Sequence, residues 1–260
     1  MRTYRRSDID SFYRCPQQFY YSHIEKLRRR PGIAAIAGTS IHAAIDHNWL
    51  HKLTTHEDVP VDELIDVGRT RLDRELNTQG TDFLGEDDPG KAIADGIENV
   101  VKTVTVFAGQ VSPVIQPAQT ELPLAITLGD DIELTCTLDL ITDADELFDF
   151  KSGKSTNQAA ADSSRQLTWY SAAYKAHYGE MPSALGLIHL MRTKAETYHT
   201  QRSQDDFDDL FRRVMMADKA IVAGDFIPCD NGNSQAWWCT PKFCGYHAKN
   251  GGPCPFGRRG

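Results

Sequence analysis

The sequence predicts an α/β chain built as one large domain. Strand-like alternation is confined mainly to residues 119–152, helical periodicity flanks it on both sides, and no repeat or low-complexity linker divides the 260 residues. The order is helix, three strands, helix, strand, which differs from a doubly wound dinucleotide-binding sheet. Taking the elements in order, residues 7–27 predict a helix with Ser7 as N-cap. Ile9, Phe12, Tyr13, Phe19 and Tyr20 recur near a 3.6 period, and Pro16 marks a kink. A second helix follows "AGTS", carrying Ile41, Ile45 and Trp49 on one stripe with His42 beside them. Residues 60–110 read as further helices broken by Gly, Asp and Pro at 85–90, and the stretch of about 50–115 reads as a helical insertion.

The pattern then changes period. "QTELPLAITL" (119–128), "DIELTCTLDLIT" (131–142) and "ELFDFKS" (146–152) alternate as strands, with "GDD" and "DAD" as turns, giving an antiparallel meander. Residues 160–178 return to helix, 184–193 form a strand, and 203–224 form a last helix carrying Phe207, Leu210, Phe211 and Val214. The resulting plan is a core of about 116–200 followed by a helix and Cys-rich segment over 203–260.

Composition narrows the function. With 40% hydrophobic residues the chain can bury a real core. No apolar run has the length of a membrane span and no secretion signal opens the chain, so a cytosolic location is expected. The formal charge of −8 excludes an all-round positive coat. Residues 1–30 nevertheless hold eight Arg or Lys against three acids, a basic island suited to phosphates. Acid runs at 57–98 and in "DDFDD" (205–209) read as solvated helix faces.

Six cysteines in a reducing compartment are more readily metal ligands than disulfides. Cys239, Cys244 and Cys254 lie within sixteen residues, among Gly and Pro that bend a loop around a ligand. Cys136 falls on the apolar face of its strand, with Ile132, Leu134, Leu138 and Leu140, and reads as core.

Charge inside the hairpin needs a separate account. If "DAD" is a three-residue turn, Thr142 pairs with Glu146, and Asp139 then lies opposite Asp149 on one face with Lys151 two residues on. Opposed carboxylates repel unless a cation or proton intervenes. A divalent metal removes the conflict; a solvated face with a Lys–Asp pair is the alternative.

"TLDLI" with Asp139, "DFK" with Asp149 and Lys151, and a helix containing "QLTWY" with Gln166 and Tyr170 together resemble the PD-(D/E)XK nuclease superfamily. The similarity is to its RecB-type exonucleases, including the iron–sulfur nuclease of AddB and the CRISPR-adaptation exonucleases. "YRCPQQFYY" resembles the opening Cys-Pro-aromatic helix, "GTSIHAAI" the Gly-x-x-x-His helix, "TELPL" the first-strand Glu, and the last three cysteines the terminal triplet. The gaps of four and nine residues between those cysteines are looser than in many relatives, and Cys229 is an extra thiol.

The resemblance implies a restriction-endonuclease-like core, a mixed sheet flanked by helices, with termini stapled by a cluster. It implies His42, Asp139, Asp149 and the Phe150 carbonyl as ligands of Mg²⁺ or Mn²⁺, and Lys151 positioning the attacking water. Glu121 would orient a water or sit behind the ligands, or else face solvent as an ordinary strand residue. Gln166 and Tyr170, one helical turn apart, would hold Lys151 or contact substrate, although Tyr170 also fits an amphipathic core. Cys15, Cys239, Cys244 and Cys254 would hold a 4Fe-4S cluster; on ligand chemistry alone Zn²⁺ fits as well, and Cys229 could replace Cys15. Such a staple would bring the basic island near Arg258 and Arg259, with Trp237, Trp238, Phe243 and Tyr246 available for base stacking or for packing round the cluster. The implied partner is DNA, as ends or single strands, with separate recombination or repair proteins, since no G-x-x-x-x-G-K-[ST] helicase motif is present. A non-cleaving DNA-end or partner-binding module and a zinc-stapled adaptor are the rival classes.

Overall fold

A six-stranded mixed sheet carries the molecule, and a gap along one edge of its central strand positions everything that follows. The computed structural model describes residues 1–153, 155–229 and 236–258. In chain order the elements are β1 (Arg2–Arg5), α1 (Arg6–Arg14), α2 (Pro16–Phe19), a π-turn (Tyr20–Ile24), α3 (Ile33–Thr55), α4 (Val61–Thr78) and α5 (Pro89–Val106). They continue as β2 (Pro117–Leu128), β3 (Ile132–Thr142), β4 (Glu146–Ser152), α6 (Gln158–Asp162), α7 (Arg165–Tyr178), β5 (Ala184–Leu190), β6 (Ala195–Thr200) and α8 (Gln204–Ala223).

β2 covers one edge of β3 along nearly its whole length, from Pro117↔Thr142 to Leu128↔Ile132. The other edge is shared. β1 runs parallel to it from Arg2↔Ile132 to Arg5↔Thr135, and β4 runs antiparallel only at Leu140↔Phe148 and Ile141↔Leu147. Residues 136–139 of β3 therefore have no strand on that side. β4 pairs onward with β5 in parallel, Asp149↔Leu187 and Lys151↔His189, and β5 pairs with β6.

Apolar residues on the two faces of the sheet build two cores. Phe12, Phe19, Leu134, Leu138, Leu147, Trp169, Phe207 and Val214 fill one, under α1, α7 and α8. Trp49, Leu64, Val100, Phe107, Leu140, Phe150 and Ile188 fill the other, so the helices of residues 50–115 share a core with the sheet. Close approach within that helical layer depends on Gly68, where a Cβ would lie 2.8 Å from Val100 Cγ1.

Several expectations need correction. α1 begins at Arg6, and its first turn is closed by Asp8, whose side chain accepts from the Arg5 N–H at 2.8 Å; Ser7 is not the cap. The helix over 7–27 breaks at Cys15, which is extended before Pro16. The apolar set of β3 does not keep one face: Leu138 joins the first core and Leu140 the second, so the strand changes sides at Asp139. Cys136 packs against the first core as expected but is only half-buried, because it also reaches the cleft wall. β1 and β6 are strands that the alternation did not indicate. No helix among the described residues is long and apolar enough to cross a membrane.

β1 is tied to a helix far along the chain by one buried carboxylate. Asp218 on α8 accepts from Arg2 Nε and Nη2 at 2.5 and 2.9 Å and from Tyr4 Oη at 2.9 Å. Asp218→Ala leaves the buried Tyr4 hydroxyl unpaired and is expected to cost about 1–3 kcal/mol, read as a lower urea midpoint. An unchanged midpoint would show that β1 contributes nothing through this contact.

Candidate active site

At the point where β4 leaves β3, a side chain replaces the ladder. The Phe150 N–H donates to Asp139 Oδ2 at 3.1 Å in place of a strand partner, and Tyr170 Oη donates to Asp139 Oδ1 at 3.0 Å. Gln166, one turn earlier on α7, donates to Tyr170 Oη at 2.8 Å, so α7 fixes the Asp139 carboxylate through a relay of two side chains.

Asp149 sits opposite Asp139 in the register set by Leu140↔Phe148, and it is fully buried. Lys151 Nζ donates to Oδ1 at 3.0 Å and lies 2.8 Å from Oδ2, yet Oδ2 makes no hydrogen bond. Burial, then the Asp139 charge, pushes the Asp149 carboxyl up to about 7, with Lys151 opposing. A carboxylate placed where it resists ionisation is poised for a cation.

α3 supplies a second wall. His42 Nδ1 lies 3.9 Å from Asp139 Oδ2, and the ring also hydrogen-bonds the Phe150 carbonyl. Burial foremost lowers its pKa, which keeps the imidazole neutral and able to ligate. The two groups expected to share one ion thus already touch each other.

Asp46, one turn along α3 from His42, was not picked out from sequence; its only signal is the i, i+4 spacing. It hydrogen-bonds Glu121, and burial together with Glu121 and Asp139 pushes it up to about 8. Glu121 is exposed at the cleft and has φ of +47°, a left-handed conformation that costs a non-glycine residue free energy. Here that conformation falls within β2 opposite Asp139, where the carboxylate cluster gathers.

The gap opens into a cleft of about 1000 Å³ lined by His42, Asp46, Glu121, Asp139, Gln166 and Tyr170. Arg5, Arg6 and Arg71 stand on its walls, so some of the basic island does face this site. Arg28, Arg29 and Arg30 instead line a separate depression with Asp82. The side chain of Arg258, and all of Arg259, lie outside the described residues. His189 was unassigned from sequence. It is buried beside Lys151 in the register, and its Nδ1 has no hydrogen bond.

The thiols gather elsewhere, at the α1–α2 joint. Cys15, Cys229, Cys239, Cys244 and Cys254 line one small cavity of about 20 Å³ with Trp238 and Tyr246. Tyr246 is buried against Tyr21, whereas Trp237 and Phe243 are 61% and 51% exposed and pack edge to face. Two of the four aromatics therefore pack at the cavity and two reach solvent.

The donor chemistry of each place fits a different group. Carboxylate oxygens, one of them buried without a hydrogen bond, suit a hard divalent cation, and sulfurs in an apolar cavity suit zinc or iron. Among the described residues, no three His, Cys, Asp or Glu side chains are drawn in to metal-holding geometry.

No curated protein matches the chain. One similar solved structure, a protein of Eubacterium rectale named as an exonuclease by assignment, shares 9% identity. The match has a TM-score of 0.49 and covers 86% of this chain and 82% of that one. The family model of the PD-(D/E)XK nuclease superfamily matches residues 6–248, nearly the whole length. A mixed sheet between helical layers, matched along its length by that family, makes this chain a member of the PD-(D/E)XK nuclease superfamily.

Proposed function

We propose that this nuclease is a RecB-like, metal-dependent DNA exonuclease acting on DNA ends or single strands in recombination, repair or related processing. The observation that carries the reading is the buried Asp149 oxygen without a hydrogen bond, facing Asp139 and rimmed by Lys151. Asp139, Asp149 and His42, with the Phe150 carbonyl, would hold Mg²⁺ or Mn²⁺. When bound, such an ion supplies Lewis-acid charge at the scissile phosphate and acidifies the attacking water.

The chain's own residues do the rest. Lys151, partly exposed beside Asp149, orients the water and offsets charge developing on the phosphate. Tyr170 and Gln166 keep Asp139 in one orientation, and Glu121 with Asp46 forms the opposite carboxylate wall. Arg5, Arg6 and Arg71 offer phosphate contacts along the cleft, and Trp237 and Phe243 offer exposed stacking faces. Cys15, Cys239, Cys244 and Cys254 would hold a structural 4Fe-4S cluster, with Zn²⁺ as the alternative. The cytoplasm is the compartment that suits those thiols.

Digestion of end-labelled single-stranded and duplex DNA by anaerobically purified protein, with Mg²⁺, Mn²⁺ or EDTA, tests this. Metal-dependent shortening from one end supports it. Intact DNA retained in a complex under every condition would leave a non-cleaving end-binding module. Once cleavage is measured, Tyr170→Phe is expected to lower its rate by about 10-fold with little change in stability, because it frees one oxygen of Asp139. A wild-type rate would remove Tyr170 from the positioning set.

A further inference from the structure

Five sulfurs line the thiol cavity, and a tetrahedral thiolate site or a four-iron cluster uses four. One is surplus, and the packing shows where the redundancy lies. Cys239, Cys244 and Cys254 belong to one segment held by its own turns: the Cys244 N–H donates to the Thr240 carbonyl at 2.8 Å and the Cys254 N–H to the Tyr246 carbonyl at 3.0 Å. The other two arrive from opposite ends of the fold and meet. Cys15 is fixed at the α1–α2 joint, its N–H donating to the Ser11 carbonyl at 3.1 Å. Cys229 is brought there by Phe226, whose ring lies 5.1 Å from Tyr20 and 6.3 Å from Phe19. Its backbone N–H donates to Cys15 Sγ at 3.4 Å, and its own thiol hydrogen-bonds the Cys239 sulfur.

We propose that Cys15 and Cys229 are alternative fourth ligands of one metal site completed by Cys239, Cys244 and Cys254. The inference rests on the reading of this cavity as a thiolate metal site. With Cys15 as ligand, Cys229 serves it through the N–H···S contact and keeps a free thiol. With Cys15 removed, the Cys229 sulfur, already against Cys239, takes its place. The extra cysteine is thus a reserve ligand that keeps the ends of the chain joined.

The test is anaerobic reconstitution with Fe²⁺ and sulfide, and separately with Zn²⁺, of wild type, Cys15→Ser, Cys229→Ser, the double variant and Cys239→Ser. Metal and acid-labile sulfide per chain and visible absorption are read on each. Both single variants at the Cys15–Cys229 pair are expected to keep more than about half of the wild-type metal. The double variant and Cys239→Ser are expected to fall at least about 5-fold. Iodoacetamide footprinting by mass spectrometry covers the case of a double variant that does not fold. Cys229 reacts in loaded wild type and becomes protected in loaded Cys15→Ser.

Loss of metal from Cys15→Ser alone, with Cys229 alkylated, makes Cys229 a bystander and overturns the inference. Loss from Cys229→Ser alone overturns it equally, by making Cys15 the bystander. Wild type that takes up neither iron nor zinc overturns the thiolate-site reading itself, a result distinct from either.

Discussion

Asp149→Ala is expected to lower phosphodiester cleavage by at least about 10³-fold while leaving the metal-free protein folded. Both halves follow from one geometry. Asp149 is wholly buried beside Asp139, and Lys151 offers one positive charge to the two carboxylates, so their combined charge is costly unless a further cation answers it. On the proposed reading, deleting the carboxylate removes a metal ligand, and it relieves a repulsion that the metal-free fold bears. Asp149→Asn should therefore match the loss of activity without a fall in Tm. Lys151→Ala is expected to lose about 10²–10³-fold, since it removes a cation in contact with Asp149. Single-turnover cleavage beside a thermal melt checks all three. An Asp149→Ala protein that unfolds would make the residue structural, and one that cuts at the wild-type rate would dismiss the site.

What the sequence shows and what it conceals divides along local and non-local causes. The hairpin register needed only the turn length and the alternation of "TLDLI" and "ELFDFKS", and the structure keeps it at Leu140↔Phe148. The separation of the two strands just beyond that pair was not legible, because it depends on β1 and β4 sharing an edge with a gap between them. β1 itself is four residues with one buried side chain, Tyr4, and its partner strand lies 130 residues away. No window of sequence holds that information. β6 was missed for a related reason, since none of its six residues is buried and its place comes from pairing with β5.

The candidate site follows the same rule. His42, Asp139, Asp149, Gln166 and Tyr170 could be named from motif order, and the structure sets four of them on the lining of one cleft, with Asp149 buried opposite Asp139. Asp46 could not, because a lone Asp on a helix face is ordinarily solvated, and it is burial in the fold, with Glu121 and Asp139 beside it, that makes this one otherwise. The left-handed backbone of Glu121 had no signal either, for it sits in a stretch whose alternation reads as plain strand. The cysteines were legible as a group, but neighbours from residues 15 and 229 meet only through tertiary packing.

The second large effect is on how stability depends on pH, and its sign separates this carboxylate cluster from an ordinary surface one. Asp149 and Asp46 have folded pKa values of about 7 and about 8, above the ordinary 3.8. Between the ordinary and the raised values the folded protein holds protons that the unfolded chain has released, so stability falls as pH rises. This contribution is complete below about pH 4 and disappears as pH passes through 7 to 8. His42, His189 and His247 have lowered pKa values and act in the opposite sense, but only up to their ordinary 6.5. Carboxylates with lowered pKa values, such as Asp218, have finished titrating well below that. Glu121, also raised by burial and by Asp139, acts in the same sense as Asp149 and Asp46, and above pH 7 the raised carboxylates of the cluster therefore dominate. Metal-free protein is expected to lose about 1 kcal/mol from pH 7 to 8, a Tm fall of about 2–4 °C. Asp46→Asn should remove most of it, and millimolar Mg²⁺ should abolish it, because a cation replaces the protons the cluster would otherwise retain. Thermal melts at closely spaced pH values, with and without Mg²⁺, decide the matter. A flat or rising metal-free profile over that range would mean that the cluster is solvated and has no need of an ion.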